Sequence, residues 1–383
     1  MTIPAGPAFR ACLLPIKPYV PGRTAEEAAG ECPPARIIKL GSNENPLGPG
    51  RKAMEAVMKL AGSLSTYPDP TCVELRAAMA AATGMRVENF LVGNGSDEVL
   101  LLIAATYLNP GDNVVVSSHT FFNYEFVSRV FAGEVRTVAT RDLHYDLAGM
   151  AAAVDSRTKL VFLCNPNNPT GLYFSHAELE GFLRSVPRTA LIVMDEAYGE
   201  YADAEDFPRV PALLGEFPNL VAARTFSKAY GLAGLRVGYA MAAESVIKDL
   251  RQVKMPFNVN LPAQKAALAA LDDQEHMQRT LRVTREGRAF LSGGLAKLGC
   301  RVLPTQGNFI CFEPPRHAAS ICDHLFRQGV IVRPLARFGL EDWIRVTIGT
   351  PGMNGYFLEA FRGELGRVTP PIAAVVAPAS GFR

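Results

Sequence analysis

The chain has 383 residues, of which 48% are hydrophobic and 20% are charged, and its formal net charge is +2 at pH 7. These values are typical of a globular protein, so they exclude a mainly disordered, collagen-like or disulfide-scaffold chain. Because the net charge is close to zero, no global electrostatic field favours nucleic acid or an anionic membrane as a partner.

Short apolar runs alternate with helical patterns over the first part of the chain. The run at 158–164 is almost continuously apolar, as in a strand buried on both faces. This alternation predicts a doubly wound α/β sheet with right-handed crossovers. Strands are predicted at 87–93, 112–117, 134–139, 158–164, 190–195 and 219–225. Helices are predicted at 97–108, 121–132 and 175–186.

The pattern changes after about residue 243 and indicates a second, smaller α+β unit. Helical stretches dominate from 244 to 298. They are followed by strands predicted at 300–313, 330–334 and 343–348, and by helices predicted at 316–328 and 353–366. We therefore expect an N-terminal arm (1–36), a large domain (37–260), a small C-terminal domain (261–367) and a tail (368–383).

The N-terminus and the cysteines favour a cytoplasmic protein. The first 22 residues contain no apolar stretch long enough for a signal peptide, and no run of 18 apolar residues predicts a membrane span. The seven cysteines are scattered without a CxxC pair, which disfavours a disulfide framework or a zinc site. The six histidines show no metal-ligand spacing either, so we expect no metal.

Lys228 follows the strand predicted at 219–225 and is a candidate nucleophile. In an open α/β sheet, ligands bind at the carboxyl ends of the strands, so a lysine there is placed to meet a ligand. Apolar or cationic surroundings would lower its pKa and make its amine reactive toward carbonyls. Taken alone, a loop lysine is more often simply solvated.

Polar residues also end two other apolar strands. Asp195 closes the run at 190–195, where it either caps the following turn or pairs with a ligand cation such as a protonated pyridine nitrogen. Tyr198 is placed to reach the same ligand. Asn168 lies in the turn NPNNPTG after the strand at 158–164, and is either a turn residue or an amide held stiffly at the sheet edge.

The segment GNGSDE (93–98) lies between a predicted strand and a predicted helix and is typical of a phosphate cradle. Its glycines permit close approach of the backbone, and a helix N-terminus presents free N–H groups. The segment lacks both the GxGxxG spacing of dinucleotide sites and the GxxxxGK[ST] spacing of NTPase loops. Thr225, Ser227 and Arg236 are candidates to close the cradle with further donors.

Together these motifs resemble those of the fold-type I pyridoxal phosphate (PLP) aminotransferases, and among them the histidinol-phosphate aminotransferases. The resemblance spans nearly the whole chain and implies a large domain with a mostly parallel central sheet plus a smaller α+β domain. It is carried by IIKLGSNENPLGPG (37–50), STYPDP (65–70), GNGSDE, NPNNPTG (165–171), DEAYGEY (195–201), TFSKAYGLAGLRVGY (225–239), VIVRP (330–334) and IRVTIGT (344–350).

The resemblance implies a role for each residue of the PLP site. Lys228 would hold PLP as a Schiff base and then act as general acid and base. Asp195 would keep the pyridine nitrogen protonated, while Tyr198 and Asn168 would bond the ring oxygen O3′. Phe121 falls where the family stacks an aromatic side chain on the ring. The phosphate would be held by Ser96, Asp97, Thr225, Ser227 and Arg236, with Tyr67 contributed by the other subunit of a twofold homodimer.

The resemblance also implies the substrate side of the site and the reaction. Arg345 and Arg333 would bind the carboxylate or phosphate of the substrate, and Tyr19 and Asn43 would line its pocket. The expected reaction transfers the amino group of L-histidinol phosphate to 2-oxoglutarate, giving imidazole acetol phosphate and glutamate in histidine biosynthesis. An aromatic amino acid aminotransferase and a PLP-dependent decarboxylase of a phosphorylated amino acid remain open alternatives.

Overall fold

The computed structural model describes residues 9–16, 23, 27 and 36–366. In that part of the chain the strands are β1 (Ile38–Lys39), β2 (Phe90–Gly93), β3 (Asn113–Ser117), β4 (Glu134–Val138), β5 (Thr158–Cys164), β6 (Leu191–Asp195), β7 (Leu220–Thr225), β8 (Gly238–Ala242), β9 (Arg301–Val302), β10 (Phe309–Glu313), β11 (Val330–Ile331), β12 (Arg333–Pro334) and β13 (Ile344–Thr347). The α-helices there are α1 (Arg51–Met58), α2 (Val73–Thr83), α3 (Gly95–Tyr107), α4 (Asn123–Val130), α5 (Leu147–Ala152), α6 (His176–Ser185), α7 (Val210–Leu213), α8 (Glu244–Val253), α9 (Leu261–Leu271), α10 (Gln274–Lys297), α11 (Ala318–Arg327) and α12 (Pro351–Leu365).

A seven-stranded sheet forms the centre of the molecule, in the order β2-β8-β7-β6-β5-β3-β4. All neighbouring pairs from β7 to β4 are parallel. Alternate residues of β6 enter two different apolar cores, with Ile192 and Met194 on one face and Leu191 and Val193 on the other. The predicted mostly parallel, doubly wound sheet is therefore confirmed, and helices cover both of its faces.

The strand β8 is the element of this sheet that our sequence analysis did not predict. It lies between β2 and β7 and pairs antiparallel with both. Its sequence, GYAMA, contains only small residues, one Tyr and one Met, so it carries little intrinsic strand preference. Pairing on both sides and complete burial stabilise it instead, and neither is visible in the local sequence.

The predicted strands of the second unit are shorter in the structure. The run predicted at 300–313 divides into β9 and β10, and the run at 330–334 divides into β11 and β12. β11 pairs in parallel with β1, whereas β12 joins the antiparallel sheet β12-β13-β10-β9. Phe312 on β10 and Phe361 on α12 pack edge to face with ring centroids 5.6 Å apart, which joins this sheet to its helices.

The predicted domain boundaries at 36/37 and 260/261 stay predictions. Ala263 and Ala267 of α9 belong to the core on one face of the seven-stranded sheet, although α9 follows residue 260. Conversely, Ile38 of β1 packs in the core of the smaller sheet. The segment that follows each proposed boundary therefore packs in the core of the other unit.

The predicted arm (1–36) and tail (368–383) lie mostly outside the described residues. A short 3-10 turn at Ala11–Leu13 packs against α4. Arg23 pairs with Asp323 of α11 at 2.9 Å. None of the helices in the described ranges is both long enough and apolar enough to cross a membrane.

Candidate active site

A single pocket at the carboxyl ends of β5, β6 and β7 collects nearly all the residues that the sequence singled out. This is the edge at which an open α/β sheet binds its ligands. Tyr67 and Tyr19 are the two predicted site residues that the pocket lining does not include. The predicted residues that line it are Asn43, Ser96, Asp97, Phe121, Asn168, Asp195, Tyr198, Thr225, Ser227, Lys228, Arg236, Arg333 and Arg345.

Tyr67 lies on the surface, apart from the pocket of its own chain. Its side chain is 82% exposed and stacks on Phe257 with ring centroids 4.5 Å apart. Its predicted role belongs to a partner subunit's site and stays a prediction. Tyr19 lies outside the described residues.

Lys228 leaves the end of β7 and enters the pocket. Its Nζ donates to the carbonyl oxygen of Ser42 at 3.2 Å and lies 5.7 Å from the centre of the Tyr198 ring. Burial, and then the positive charge of Arg345, lower the pKa of Lys228 to about 8. The amine therefore loses its proton as the pH rises through about 8, well below the value of an ordinary lysine.

Asp195 is a buried carboxylate in the floor of the pocket, with 2% of its surface exposed. The Tyr124 hydroxyl donates to Oδ2 at 2.8 Å, and the backbone N–H of Ala197 donates to Oδ1 at 3.0 Å. Burial raises the pKa of Asp195 to about 6. Among the described residues it makes no ion pair, so a cationic ligand atom is the partner that its charge requires.

The predicted phosphate cradle is built by close backbone contact between β8 and the start of α3. A Cβ on Gly238 would lie 2.5 Å from the Ser96 nitrogen, and a Cβ on Gly95, whose φ is +79°, would lie 2.7 Å from Arg236 Nη2. Only glycine fits at both positions. This close approach brings the free N–H groups of the first turn of α3 next to the Arg236 guanidinium, and Ser96, Asp97 and Arg236 all line the pocket. Such a set of donors suits an anion.

Arg236 is held in this cradle by its own partners. Its Nη2 pairs with Asp97 Oδ2 at 2.9 Å, and its Nη1 donates to Ser227 Oγ at 3.3 Å. The other carboxylate oxygen of Asp97 accepts from Asn123 Nδ2 at 3.0 Å. The Asp97 side chain therefore orients Arg236. The group with which Asp97 itself can donate to an anion is its backbone N–H.

Arg345 and Arg333 lie directly opposite each other on the antiparallel strands β13 and β12. Arg345 donates from Nη1 to Asn168 Oδ1 and from Nη2 to the Gly41 oxygen at 2.9 Å, and its guanidinium lies over the Phe309 ring. Both arginines line the pocket, and guanidinium groups suit carboxylate and phosphate ligands. The pair is therefore a candidate anion site, separate from the cradle.

Asn43 and Tyr198 connect the N-terminal strand region to the sheet. Asn43, in a left-handed conformation with φ of 55°, donates from Nδ2 to the Tyr198 hydroxyl at 3.0 Å. Its backbone N–H donates to Thr347 Oγ1 at 2.9 Å. Burial raises the pKa of Tyr198 to about 12, so its hydroxyl stays protonated at neutral pH.

Three phenylalanines form the apolar wall of the pocket. Phe121 and Phe122 contact each other with ring centroids 5.0 Å apart, and Phe338 enters from the turn after β12. Our sequence analysis missed Phe122, Phe338 and the buried Tyr124. Tyr124 follows Phe121 by three residues, but Phe121 precedes α4, so no periodic pattern in the sequence pointed to Tyr124.

The comparisons with known proteins agree over nearly the whole chain. The family described as aminotransferase class I and II matches residues 35–361. The chain is 46% identical over 357 residues to the histidinol-phosphate aminotransferase of Moorella thermoacetica. The aligned residues make up 93% of this chain and 92% of that protein. It is 44% identical to the histidinol-phosphate aminotransferase of Symbiobacterium thermophilum, covering 94% of this chain and 99% of that one.

A solved structure is also similar over nearly the whole chain. The histidinol-phosphate aminotransferase of Sinorhizobium meliloti, in complex with pyridoxal 5′-phosphate, has a TM-score of 0.86 and 28% sequence identity to this chain. The match covers 95% of this chain and 100% of that one. The strands of all three sheets and the residues that line the pocket lie within residues 35–361, the range that the family matches.

Proposed function

Because the chain belongs to the class I and II aminotransferases, we propose that its pocket binds PLP and transfers the amino group of L-histidinol phosphate to 2-oxoglutarate. The products are imidazole acetol phosphate and glutamate, as in histidine biosynthesis. The observation that carries the proposal is that Lys228, Asp195 and Arg345 line one pocket. The family resemblance of the sequence is confirmed, and the relatives' printed activity supports the choice of substrate.

The residues present fit PLP. Bound PLP supplies an aldehyde carbon that takes up the amino group and a ring that accepts the electron pair left when the substrate's Cα–H bond breaks. Asp195 is a buried carboxylate that makes no ion pair in the described part of the chain, as the ring nitrogen requires. The cradle faces the pocket with the donors that a phosphate requires, because Ser96 and Asp97 at the start of α3 and the Arg236 guanidinium all line it.

Lys228 holds the cofactor and moves the proton. With its pKa lowered to about 8, a useful fraction of Nζ is a neutral amine near neutral pH, so it is nucleophilic toward a carbonyl. Nζ would then remove the proton from the substrate's Cα as general base and, as general acid, would deliver it to the cofactor carbon C4′, which completes the transfer of the amino group. The nearby Arg345 charge favours the neutral form and so supports both roles.

Asp195, Tyr198 and Asn168 set the charge and orientation of the ring. A protonated ring nitrogen beside Asp195 would lower the pKa of that carboxyl below its value of about 6, so Asp195 would stay ionised at neutral pH. The Tyr198 hydroxyl remains a donor because its pKa is about 12. Asn168 accepts from Arg345 through Oδ1, so Nδ2 is the atom with which it donates to the ring oxygen. Phe121 would cover the ring.

The cradle residues hold the cofactor phosphate. The backbone N–H groups of Ser96 and Asp97 lie at the first turn of α3, where the helix dipole favours an anion. Thr225 and Ser227 add hydroxyl donors, and Arg236 adds a charge-assisted pair.

Arg345 and Arg333 bind the anionic end of each substrate in turn. Histidinol phosphate presents a phosphate and glutamate a carboxylate, and a planar guanidinium fork suits both. The opposed arrangement of the two guanidinium-bearing residues across β12 and β13 supports this assignment. Asn43 would line the same side, and Tyr19 from the arm is proposed to do so as well.

We also propose that the active unit is a twofold homodimer in which Tyr67 reaches the partner's phosphate site. In a single chain Tyr67 is 82% exposed and stacks on Phe257, and other large apolar side chains are exposed on the segments that flank these two residues in the sequence. Such a patch is typical of a subunit interface. It includes Met54, Met58, Leu64, Val73, Met255 and Phe257.

A cytoplasmic location completes the proposal. All six described cysteines are free thiols, as expected in a reducing compartment. The substrates are small molecules, and we propose neither nucleic acid nor a membrane as a partner.

An aromatic amino acid aminotransferase is the second candidate. Phe121, Phe122 and Phe338 would receive a phenyl ring as readily as an imidazole, and a carboxylate would occupy the arginine site. A decarboxylase of a phosphorylated amino acid would use the same anion site but would release CO₂ instead of exchanging an amino group.

The visible absorption spectrum of the purified, PLP-loaded protein tests the proposal. We expect L-histidinol phosphate alone, at low concentration, to convert the absorption of bound PLP to that of bound pyridoxamine phosphate, and 2-oxoglutarate to restore it. L-Phenylalanine should need a far higher concentration. Lys228→Ala is the control, because it removes the amine and should abolish both changes.

Each other result assigns the site differently. If L-phenylalanine converts the spectrum at the lower concentration, the second candidate replaces the first. Release of CO₂ from a phosphorylated amino acid would indicate the decarboxylase. A protein that shows no bound PLP after incubation with the cofactor would contradict the whole proposal.

A further inference from the structure

Tyr124 is a fully buried side chain behind the pocket, with 0% of its surface exposed, and no motif of the sequence singled it out. It lies in the first turn of α4, three residues after Phe121. Its hydroxyl donates to Asp195 Oδ2 at 2.8 Å. A buried hydroxyl bonded to a buried carboxylate is a strong, charge-assisted contact.

Tyr124 supplies half of the hydrogen bonding of Asp195. The other donor is the backbone N–H of Ala197, which serves Oδ1. Within the described residues, Tyr124 is the one side chain that donates to this carboxylate. The hydrogen bond therefore fixes the rotation of the Asp195 carboxylate as well as its charge.

The ring of Tyr124 is held on two sides. It stacks on Phe162 of β5 with centroids 5.0 Å apart and planes 9° apart. Phe121 meets it edge to face at 5.7 Å and 83°. One side chain therefore contacts both the carboxylate in the pocket floor and the phenylalanine in the pocket wall.

The electrostatics around Asp195 make this contact important. Burial and the nearby carboxylates of Asp97 and Glu196 all favour the neutral form of Asp195. The Tyr124 hydroxyl and the Ala197 N–H oppose them by bonding to the charged form. Cys164, on the neighbouring strand, is a neutral thiol because burial raises its pKa. Loss of the Tyr124 hydroxyl would therefore leave the Ala197 N–H as the one remaining hydrogen-bond donor to the carboxylate. Burial and the two nearby carboxylates would then raise the pKa of Asp195 further.

We propose that Tyr124 is a positioning residue that keeps Asp195 ionised and oriented toward the ring nitrogen of the cofactor, and that holds Phe121 in the pocket wall. The inference rests on the proposed function, because it needs PLP in this pocket. Tyr124 touches neither substrate nor cofactor in this scheme and acts through the two residues that do.

The test compares Tyr124→Phe with Tyr145→Phe in the holoenzyme. Tyr145 is a matched control, because its hydroxyl is also hydrogen-bonded in this core, to Thr120 Oγ1 at 2.7 Å and to the Cys164 N–H at 3.1 Å, but not to Asp195. The probe is PLP labelled with ¹⁵N at the ring nitrogen, whose chemical shift reports protonation directly.

In the unaltered protein we expect the shift of a protonated nitrogen across neutral pH. Tyr124→Phe should move it toward the unprotonated value and should lower kcat about tenfold or more, with KM changed less than about twofold. Tyr145→Phe should retain the original ¹⁵N shift.

Two results would overturn the inference. If Tyr124→Phe binds PLP with an unchanged ¹⁵N shift, Tyr124 is only structural, whatever its activity. If Tyr124→Phe and Asp195→Asn lower kcat additively when combined, the two residues act independently; we expect the hydroxyl to have little further effect once Asp195 is neutral.

A separate failure, in which the unaltered protein shows no bound ¹⁵N signal, would refute the proposed function itself. Should Tyr124→Phe fold poorly, Phe162→Leu disturbs the ring stack while keeping the hydroxyl and is expected to produce a smaller shift in the same direction.

Discussion

At the scale of single residues, burial pushes the two central ionisable groups toward their neutral forms. It lowers the pKa of Lys228 to about 8 and raises the pKa of Asp195 to about 6. For the lysine this is useful, because the neutral amine is the nucleophile. For the aspartate it is unfavourable, and the hydrogen bond from Tyr124 counteracts it, as the ring nitrogen of PLP would in the proposed function. Burial therefore supports the role of Lys228, whereas at Asp195 other interactions must oppose it to keep the carboxylate ionised.

The charge of Arg345 provides a test at this scale. Arg345 is, after burial, the largest influence that lowers the pKa of Lys228, so Arg345→Gln should raise that pKa. The rate at which the apoenzyme captures PLP should increase with pH around a midpoint near 8, and this midpoint should move upward in the variant. Stopped-flow absorbance over a pH series measures it.

Arg333→Gln is the matched control, because Arg333 lies opposite Arg345 but is not among the charges that influence Lys228 most. Its midpoint should stay where it is in the unaltered protein. An equal movement in both variants would mean that the midpoint reflects binding of the PLP phosphate and not the Lys228 amine.

Candidate residues could be found from the sequence because their neighbours in the chain carry the signal. Lys228, Asp195 and Asn168 each come directly after an apolar run that forms a strand of the sheet. Tyr124 and Phe338 carry no such signal, because their place in the site depends on packing between segments far apart in the chain.

At the scale of elements, the cradle exists because β8 approaches the start of α3 without side chains between them. Gly238 pairs with Gly93 on one side and with Thr225 on the other. This places the polar end of β7 next to the first turn of α3. The unpredicted strand therefore connects the two halves of the phosphate site.

Gly238→Ala tests this contact. The new Cβ would lie 2.5 Å from the Ser96 nitrogen, so the helix start must move away from the strand. Overpacking of this kind destabilises by about 1–3 kcal/mol, and we expect PLP affinity to fall about tenfold or more. A PLP titration followed by absorbance measures the change.

Gly234→Ala is the matched control, since a Cβ there meets no atom within 4 Å. It should bind PLP as the unaltered protein does. If Gly238→Ala also retains full PLP affinity, the close approach of β8 to α3 is not what forms the cradle.

At the scale of the whole molecule, the pocket lies where the seven-stranded sheet meets the four-stranded sheet. Lys228 and Asp195 come from the seven-stranded sheet, whereas Arg345 and Arg333 come from the four-stranded one. In the proposed function, the residues that would hold the cofactor and those that would bind the substrate's anionic group thus belong to different sheets. A change in the relative position of the sheets would alter the distance between the reacting carbon and the anion site.

The proposed homodimer can be tested by complementation between two inactive chains. Tyr67→Ala should lose activity because the partner's phosphate site lacks a contact, and Lys228→Ala should be inactive in its own site. A mixed dimer contains one site with an intact Lys228 and an intact Tyr67, so mixing after mild dissociation should restore activity. Turnover of the mixture, compared with that of each variant alone, measures the effect.

Two variants of exposed apolar residues complete this test. Met58→Glu, in the patch around Tyr67, should shift the protein toward monomers in analytical ultracentrifugation. Phe290→Glu changes another exposed apolar side chain, 52% exposed against 66% for Met58, which lies on α10 and is not part of that patch, and it should leave the dimer intact. Mixtures that stay inactive while dimers form would show that Tyr67 serves its own chain or none.

The sequence by itself determined the mostly parallel sheet and the residues at its carboxyl edge. Apolar runs such as 158–164 and 190–195 report burial directly, and the polar residue that ends each run is local information. The family resemblance added a role for each of these residues. Predicting them required only the sequence of each strand and of the turn that follows it.

The tertiary structure alone decided how these residues act together. It inserted β8 between β2 and β7, set Arg333 opposite Arg345, and brought the Tyr124 hydroxyl to Asp195. It also determined which charges reach Lys228 and so the pH at which its amine becomes neutral. These features depend on distances between segments far apart in the chain, and a local sequence pattern does not encode such distances.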